Sequence, residues 1–227
     1  MILRHRRRAS LAIAWLVTLT VAVACTASGT TSQPTSGAAS AVPSGAPSEA
    51  ASTGCPTSQP EALGAGQTRT VTIETAKGTI TMSLKADLSP IAVGNFVALA
   101  ECGYYNGVVF HRLVPGFVIQ GGDPTGTGTG GPGYTIADEP VTTAYHRGTV
   151  AMARTSQPNS VGSQFFIVVD DAAQDALASA NTYQIIGDVT AGMDVVDTIV
   201  AMPNSGQDTG NQALDPVPMT KVTVSNP

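Results

Sequence analysis

Charge is scarce in this 227-residue chain: Asp, Glu, Lys and Arg together make up 12%. Four of its 11 basic residues, Arg4, Arg6, Arg7 and Arg8, sit at the extreme N-terminus, which holds no acid. The rest carries seven basic residues against 16 acids, a net charge of −9. A body of that sign is ill suited to nucleic acid, whose binding rests on neutralising phosphates. Histidine is also rare: beyond the N-terminal segment only His111 and His146 occur. Neither has a Cys or an acid at ligand spacing, so no metal site is expected. A Ser-His-Asp hydrolase is disfavoured as well, because no acid stands near His111 in sequence and no G-x-S-x-G elbow exists. Aromatic residues are 5%, and the single Trp, Trp15, lies in the N-terminal apolar run. A formal G-x-G-x-x-G occurs at Gly126, Gly128 and Gly131, but Pro132 and Gly133 follow it. No helix can start there to receive a pyrophosphate, and no Lys-Ser/Thr follows, so the stretch reads as a surface loop.

The N-terminus has the layout of an export signal. A basic "RHRRR" precedes an apolar run from Leu11 to Ala24, too short for a comfortable membrane span. The end of that run, "AVAC", resembles a bacterial lipobox, with Ala22 in place of the more usual Leu. The resemblance implies cleavage after residue 24 and a lipid on Cys25; the alternative is an ordinary cleaved signal with an incidental Cys. Twin arginines are present, but the residues after them fit the twin-arginine export pattern only weakly. Residues 25–66 are rich in Ser, Thr, Ala, Gly and Pro and read as a disordered tether holding a soluble domain, residues 67–227, off a membrane. If Cys25 is lipidated, Cys55 and Cys102 remain. In an oxidising compartment they either pair as a disulfide or stay as two free thiols.

Within the domain, "TVTIETAKGTITMSL" alternates on both sides of "AKG", a hairpin signal with Val71, Ile73, Ile80, Met82 and Leu84 on one face. "SPIAVGNFVALAECG" reads as a helix, with Ser89 as N-cap, Pro90 at the first position, Gly103 at the stop and a Val93, Phe96, Val97, Ala100 stripe. "VVFHRLV", "GFVIQGG", "GTVAMAR", "SQFFIVV", "YQIIGDV" and "KVTVSN" are short and strand-like. "MDVVDTIVAM" places Met193, Val196, Ile199 and Val200 at helical spacing. Many short strands with two helices predict a mainly β domain, an antiparallel barrel or a sandwich. A barrel with a helix over each open end accounts for both helical stripes.

The run "FHRLVPGFVIQGGDP" places a permanent charge, Arg112, among apolar residues, which is costly unless something pairs it. The chain offers an Arg, a Gln and several aromatics, without nucleophile, metal or acid/base pair. Rotation about an X–Pro bond needs no more. No bond is made or broken, and the barrier is amide resonance, about 18–20 kcal/mol. A guanidinium can hydrogen-bond the prolyl nitrogen as it regains its lone pair in the twisted form.

"FHRLVPGFVIQGGDPTGTGTGGPGY" and, downstream, "VAMARTSQPNSVGSQFFIV" resemble the two signature motifs of the cyclophilins, the peptidyl-prolyl cis/trans isomerases. The resemblance runs from about Gln67 to Pro227. It implies a closed eight-stranded antiparallel β-barrel capped by two α-helices, X–Pro isomerisation in proline-containing polypeptides, no cofactor, and a monomer. Matched residue by residue, it implies Arg112 and Gln120 as catalytic groups. His111, Phe117, Val118, Met152, Ala153, Gln164 and Phe166 fall at substrate-binding positions. Val118 takes a place usually held by Met, and Arg154 stands where many eukaryotic members have Asn. In "QDALASANTYQIIG", Tyr183 falls at the position of a family His and Ala178 near that of a family Trp, with Leu177 as the other candidate for that wall. Loss of the Trp bears on cyclosporin-like ligands more than on catalysis. The rival reading is a non-catalytic cyclophilin-like module that binds or chaperones peptides; retention of Arg112, Phe117, Gln120 and Phe166 together favours the enzyme.

Overall fold

A computed structural model describes residues 54–227. The expected leader, Cys25 and most of the expected tether lie outside them. Nine strands form one antiparallel sheet: β1 (Thr68–Thr75), β2 (Gly78–Lys85), β3 (Val109–Val114), β4 (Val118–Asp123), β5 (Thr149–Met152), β6 (Phe165–Val168), β7 (Ile185–Ala191), β8 (Gln212–Pro218) and β9 (Lys221–Ser225). Three helices accompany it: α1 (Pro90–Glu101), α2 (Gln174–Ala180), which continues a short 3-10 turn, and α3 (Met193–Val200).

The spatial order is β8-β3-β4-β6-β5-β7-β2-β1-β9. The sheet curls around its core, but its edges β8 and β9 do not pair. The expectation of a closed eight-stranded barrel is therefore corrected to an open, curled sheet of nine strands. The additional strand is β8, "QALDPVP". It pairs with β3 and carries Pro216 and Pro218. Proline lacks a ladder donor and is confined to sheet edges and bulges, so its presence both hides this strand in the sequence and places it at the rim. The third helix, α2, was also unanticipated. Leu177 is its only large apolar residue and gives no periodic stripe.

Alternation divides the strands cleanly. Val71, Ile73, Ile80, Met82 and Leu84 of the first hairpin are fully buried inside the curl with Phe96, Phe110, Phe165 and Ile167. Val118, Ala151, Phe166, Val168 and Ile185 lie on the opposite face and gather a second cluster with Tyr145 and Leu177. Sequence neighbours thus serve different clusters: Phe165 packs inside and Phe166 outside.

Helix α1 is buried nearly all round, not along one stripe. Residues 54–66, expected to belong to the tether, pass over it. The Leu63 N–H donates to the Pro90 carbonyl (2.9 Å), the Ala137 N–H donates to Gln59 Oε1 (2.9 Å), and Cys55 is disulfide-bonded to Cys102. Gly94 is required beneath this strap, since a Cβ there would stand 2.3 Å from the Glu61 carbonyl oxygen. Low-apolar composition hides the strap because backbone hydrogen bonds and a covalent link hold it. At the start of α1, the side chain of Ser89 makes no capping bond. Glu139 takes its place and accepts from the Ile91 and Ala92 N–H groups at 2.8 and 2.9 Å, an acid at the positive end of the helix dipole. At the other end, the Gly103 and Tyr104 N–H groups return to Ala100 and Leu99, closing a Schellman turn.

Candidate active site

The outer face of β3, β4, β6 and β5 carries one row of directly paired residues: Arg112 opposite Gln120, Gln120 opposite Phe166, and Phe166 opposite Ala151. Four strands contribute one residue each, so the row is rigid. Arg112 reaches this face through a bulge. On β3, Phe110 pairs with Gly121 and Arg112 with Gln120, leaving His111 as the extra residue. The bulge changes the parity of the strand, so that Phe110 and Leu113 both enter the core while Arg112 turns outward.

Arg112 is half-buried. Its Nη1 donates to Gln120 Oε1 at 3.3 Å and its Nε to the Gly210 carbonyl at 3.3 Å. Among the described residues no carboxylate pairs with it, which leaves Nη2 for a ligand. Burial draws its pKa down from the usual value, with Tyr183 acting against that, but a guanidinium stays charged. Gln120 Nε2 donates to Gln164 Oε1 at 2.9 Å, and Gln164 Nε2 donates to the carbonyls of Gly128 and Gly130 at 3.0 and 2.9 Å.

Beside Arg112 lies a pocket of about 100 Å³, bordered by Phe117, Val118, Gln120, Ala153, Phe166, Leu177 and Tyr183 among others. Phe166 and Tyr183 meet edge to face, their centroids 5.4 Å apart, and the Tyr145 hydroxyl donates to the Tyr183 carbonyl at 2.9 Å. Leu177, not Ala178, fills the wall. A pyrrolidine-sized apolar hollow flanked by one unneutralised guanidinium and one amide is the chemistry this surface offers. A larger hollow of about 490 Å³ adjoins it across Gln120, Ala153 and Arg154, lined by residues 128–135 and by Thr155, Ser160 and Gln164. Arg154 is already engaged there, 3.1 Å from Asp138 and donating to the Thr155 and Gln157 carbonyls.

The structure thus brings together Arg112, Gln120, Gln164, Phe117, Val118, Ala153, Phe166 and Tyr183. It does not bring Met152 or His111 to the pocket. Met152 is fully buried in the inner core, because the residue before Ala153 on an alternating strand must face the other way. His111 is buried beneath the Gly128 loop, and neither ring nitrogen has a hydrogen-bond partner among the described residues. Burial pushes its pKa below the ordinary imidazole value; Asp123 opposes this and Arg112 reinforces it. Sequence reasoning missed Gly210, 98 residues from Arg112, whose contribution is a carbonyl and leaves no side-chain signal. It also read the loop after Asp123 as surface only, although its carbonyls hold Gln164. No group of three or more His, Cys, Asp or Glu residues able to hold a metal occurs among the described residues.

Residues 70–224 match the family model of the cyclophilin type peptidyl-prolyl cis-trans isomerases, and the chain belongs to that family. A peptidyl-prolyl cis-trans isomerase of Helicobacter pylori is 38% identical over 148 residues, covering 61% of this chain and 90% of that protein. Peptidyl-prolyl cis-trans isomerase CYP65 of Arabidopsis thaliana is 40% identical over 159 residues, which are 68% of this chain but only 25% of that protein. The chain therefore spans about a quarter of the length of that plant relative. Among solved structures, a cyclophilin type isomerase of Cryptosporidium parvum superposes with a TM-score of 0.63 at 33% identity, covering 70% of this chain and 99% of that one. The same protein has been solved in the presence of the dipeptide Ala-Pro.

Proposed function

We propose that this chain accelerates cis/trans rotation of X–Pro bonds in other polypeptides. The observation that carries the reading is Arg112, held by Gln120 beside an aromatic pocket with no carboxylate to neutralise it. The proline ring enters between Phe117, Phe166 and Leu177, where apolar burial supplies binding. The amide of Gln120 holds the substrate backbone. As the bond twists, resonance is lost and the prolyl nitrogen regains a lone pair. The Arg112 guanidinium donates to that nitrogen, an interaction absent in both planar forms, so it lowers the barrier without tightening the ground state. No covalent step, metal or cofactor enters this scheme. A match of 90% of the length of the bacterial relative supports it. Exchange NMR on an Ala-Pro peptide with the full chain measures the rotation directly. Acceleration supports an enzyme; tight binding with uncatalysed exchange would leave a peptide-binding module.

The compartment is part of the proposal. A basic and apolar N-terminus ending in "AVAC" supports export and lipidation of Cys25, with the domain acting as a monomer on exported polypeptides outside the membrane. Mass spectrometry of the membrane-associated protein tests it. A mature N-terminal peptide beginning at lipid-modified Cys25 is expected, and an unmodified one would remove the anchor.

A further inference from the structure

Asp123, the last residue of β4, follows Gly121 and Gly122 and is the one carboxylate among the described residues that is fully buried. Its partners are not cationic. Oδ1 accepts from the Thr125 N–H and hydroxyl at 2.7 and 2.8 Å, and Oδ2 accepts from the Gly128 and Gly130 N–H groups at 2.6 and 3.0 Å. The loop Thr125–Gly130 is wound on this one carboxylate. These bonds hold the Asp123 pKa below the ordinary carboxylate value in spite of burial.

The two glycines whose N–H groups face Asp123 are the same two whose carbonyls face Gln164. That coincidence fixes polarity along the row. Two carbonyls can only accept, so the Gln164 amide turns its NH2 toward them and its oxygen toward Gln120. Gln120 must then present its NH2 to Gln164 and its oxygen to Arg112. Were Gln120 reversed, its NH2 would face the guanidinium; were Gln164 reversed, its oxygen would face the two carbonyls and its NH2 that of Gln120. We propose that Asp123 is a positioning residue for catalysis: through the loop it sets the orientation of the Gln164 and Gln120 amides, and so holds the Arg112 guanidinium for the twisted bond. The proposal rests on the reading of Arg112 given above.

A double-mutant cycle on the full chain tests it, read by exchange NMR on an Ala-Pro peptide. In Asp123→Asn an amide with one acceptor oxygen cannot serve four donors, and turnover is expected to fall about tenfold, with KM little changed because Arg112 acts in the twisted state. Gln164→Leu, which cuts the row one step on, is expected to lose about as much. The double variant should be no slower than the slower single one, because both remove one chain of contacts. Gly130→Ala is the second approach, since it leaves Asp123 in place. Its Cβ would stand 2.1 Å from Asp123 Oδ1, so the surface loop must lift off, and the same loss is expected. In both Asp123→Asn and Gly130→Ala the Arg112 Nε–H resonance should shift. Native turnover in Gly130→Ala, or losses that multiply in the double variant while Arg112→Ala is slow, would overturn this proposal alone. A native rate in Arg112→Ala would overturn the reading of the arginine and this proposal with it.

Discussion

The two faces of one sheet can be compared strand by strand, and they differ in what a lost side chain does. Inside the curl, Phe110, Phe165 and Met152 are completely buried among apolar neighbours. On the outer face β3 presents the half-buried, hydrogen-bonded Arg112, β6 presents Phe166 at the hollow, and Ala153 faces the same hollow just past β5. Pleating puts adjacent residues on opposite sides, so a one-residue step such as Phe165–Phe166 separates stability from chemistry. A site built on strands whose other face is fully packed is held more tightly than one carried on loops.

The largest effect expected is on the inner face. Phe165→Ala should cost about 3–5 kcal/mol of stability, as large-to-small changes in packed cores do, while turnover per folded molecule survives. Denaturant unfolding alongside peptide exchange measures both. Equal losses of stability from Phe166→Ala, which faces the pocket and should chiefly raise KM, would break the distinction between faces. Replacing both bridging cysteines, Cys55→Ser with Cys102→Ser, should lower stability by about 2–4 kcal/mol and leave turnover untouched, because no residue of the strap lines the pocket. Thermal unfolding with and without reductant gives the same comparison on the native chain.

Arg112→Ala should reverse the pattern, with stability retained and turnover reduced about ten- to a hundredfold, the value of roughly 1.5–3 kcal/mol for a hydrogen bond to a charged group. Arg112→Lys should recover only part of the rate, since a point ammonium cannot face Gln120 and the prolyl nitrogen at once. The smallest effect concerns His111. Its folded-state pKa lies below the ordinary 6.5, so burial of the neutral ring supports folding fully above pH 6.5. That support is lost as pH falls from 6.5 toward the folded-state value, where the unfolded chain takes up the proton more readily. His111→Gln should flatten the stability profile over that window; an unchanged slope would mean that another group sets the acid sensitivity.

Eight of the nine strands and the helices around Phe96 and Val196 were legible from periodicity alone, because alternation and helical spacing are local properties. The two long motifs likewise marked Arg112, Gln120, Phe117, Phe166 and Gln164 for one surface. What they could not state is which way each neighbour points. Met152 stands beside Ala153 yet serves the core, since sheet pairing decides which parity faces inward. Openness of the sheet, the edge strand with its prolines, the strap over α1, the cap supplied by Glu139 and the Gly210 carbonyl at Arg112 all depend on segments far apart in the chain. The sequence by itself determined the family, the strands and the residue types of the site. Tertiary structure decided their sides, their partners and the direction of each hydrogen bond, because those follow from non-local contacts that no local pattern encodes.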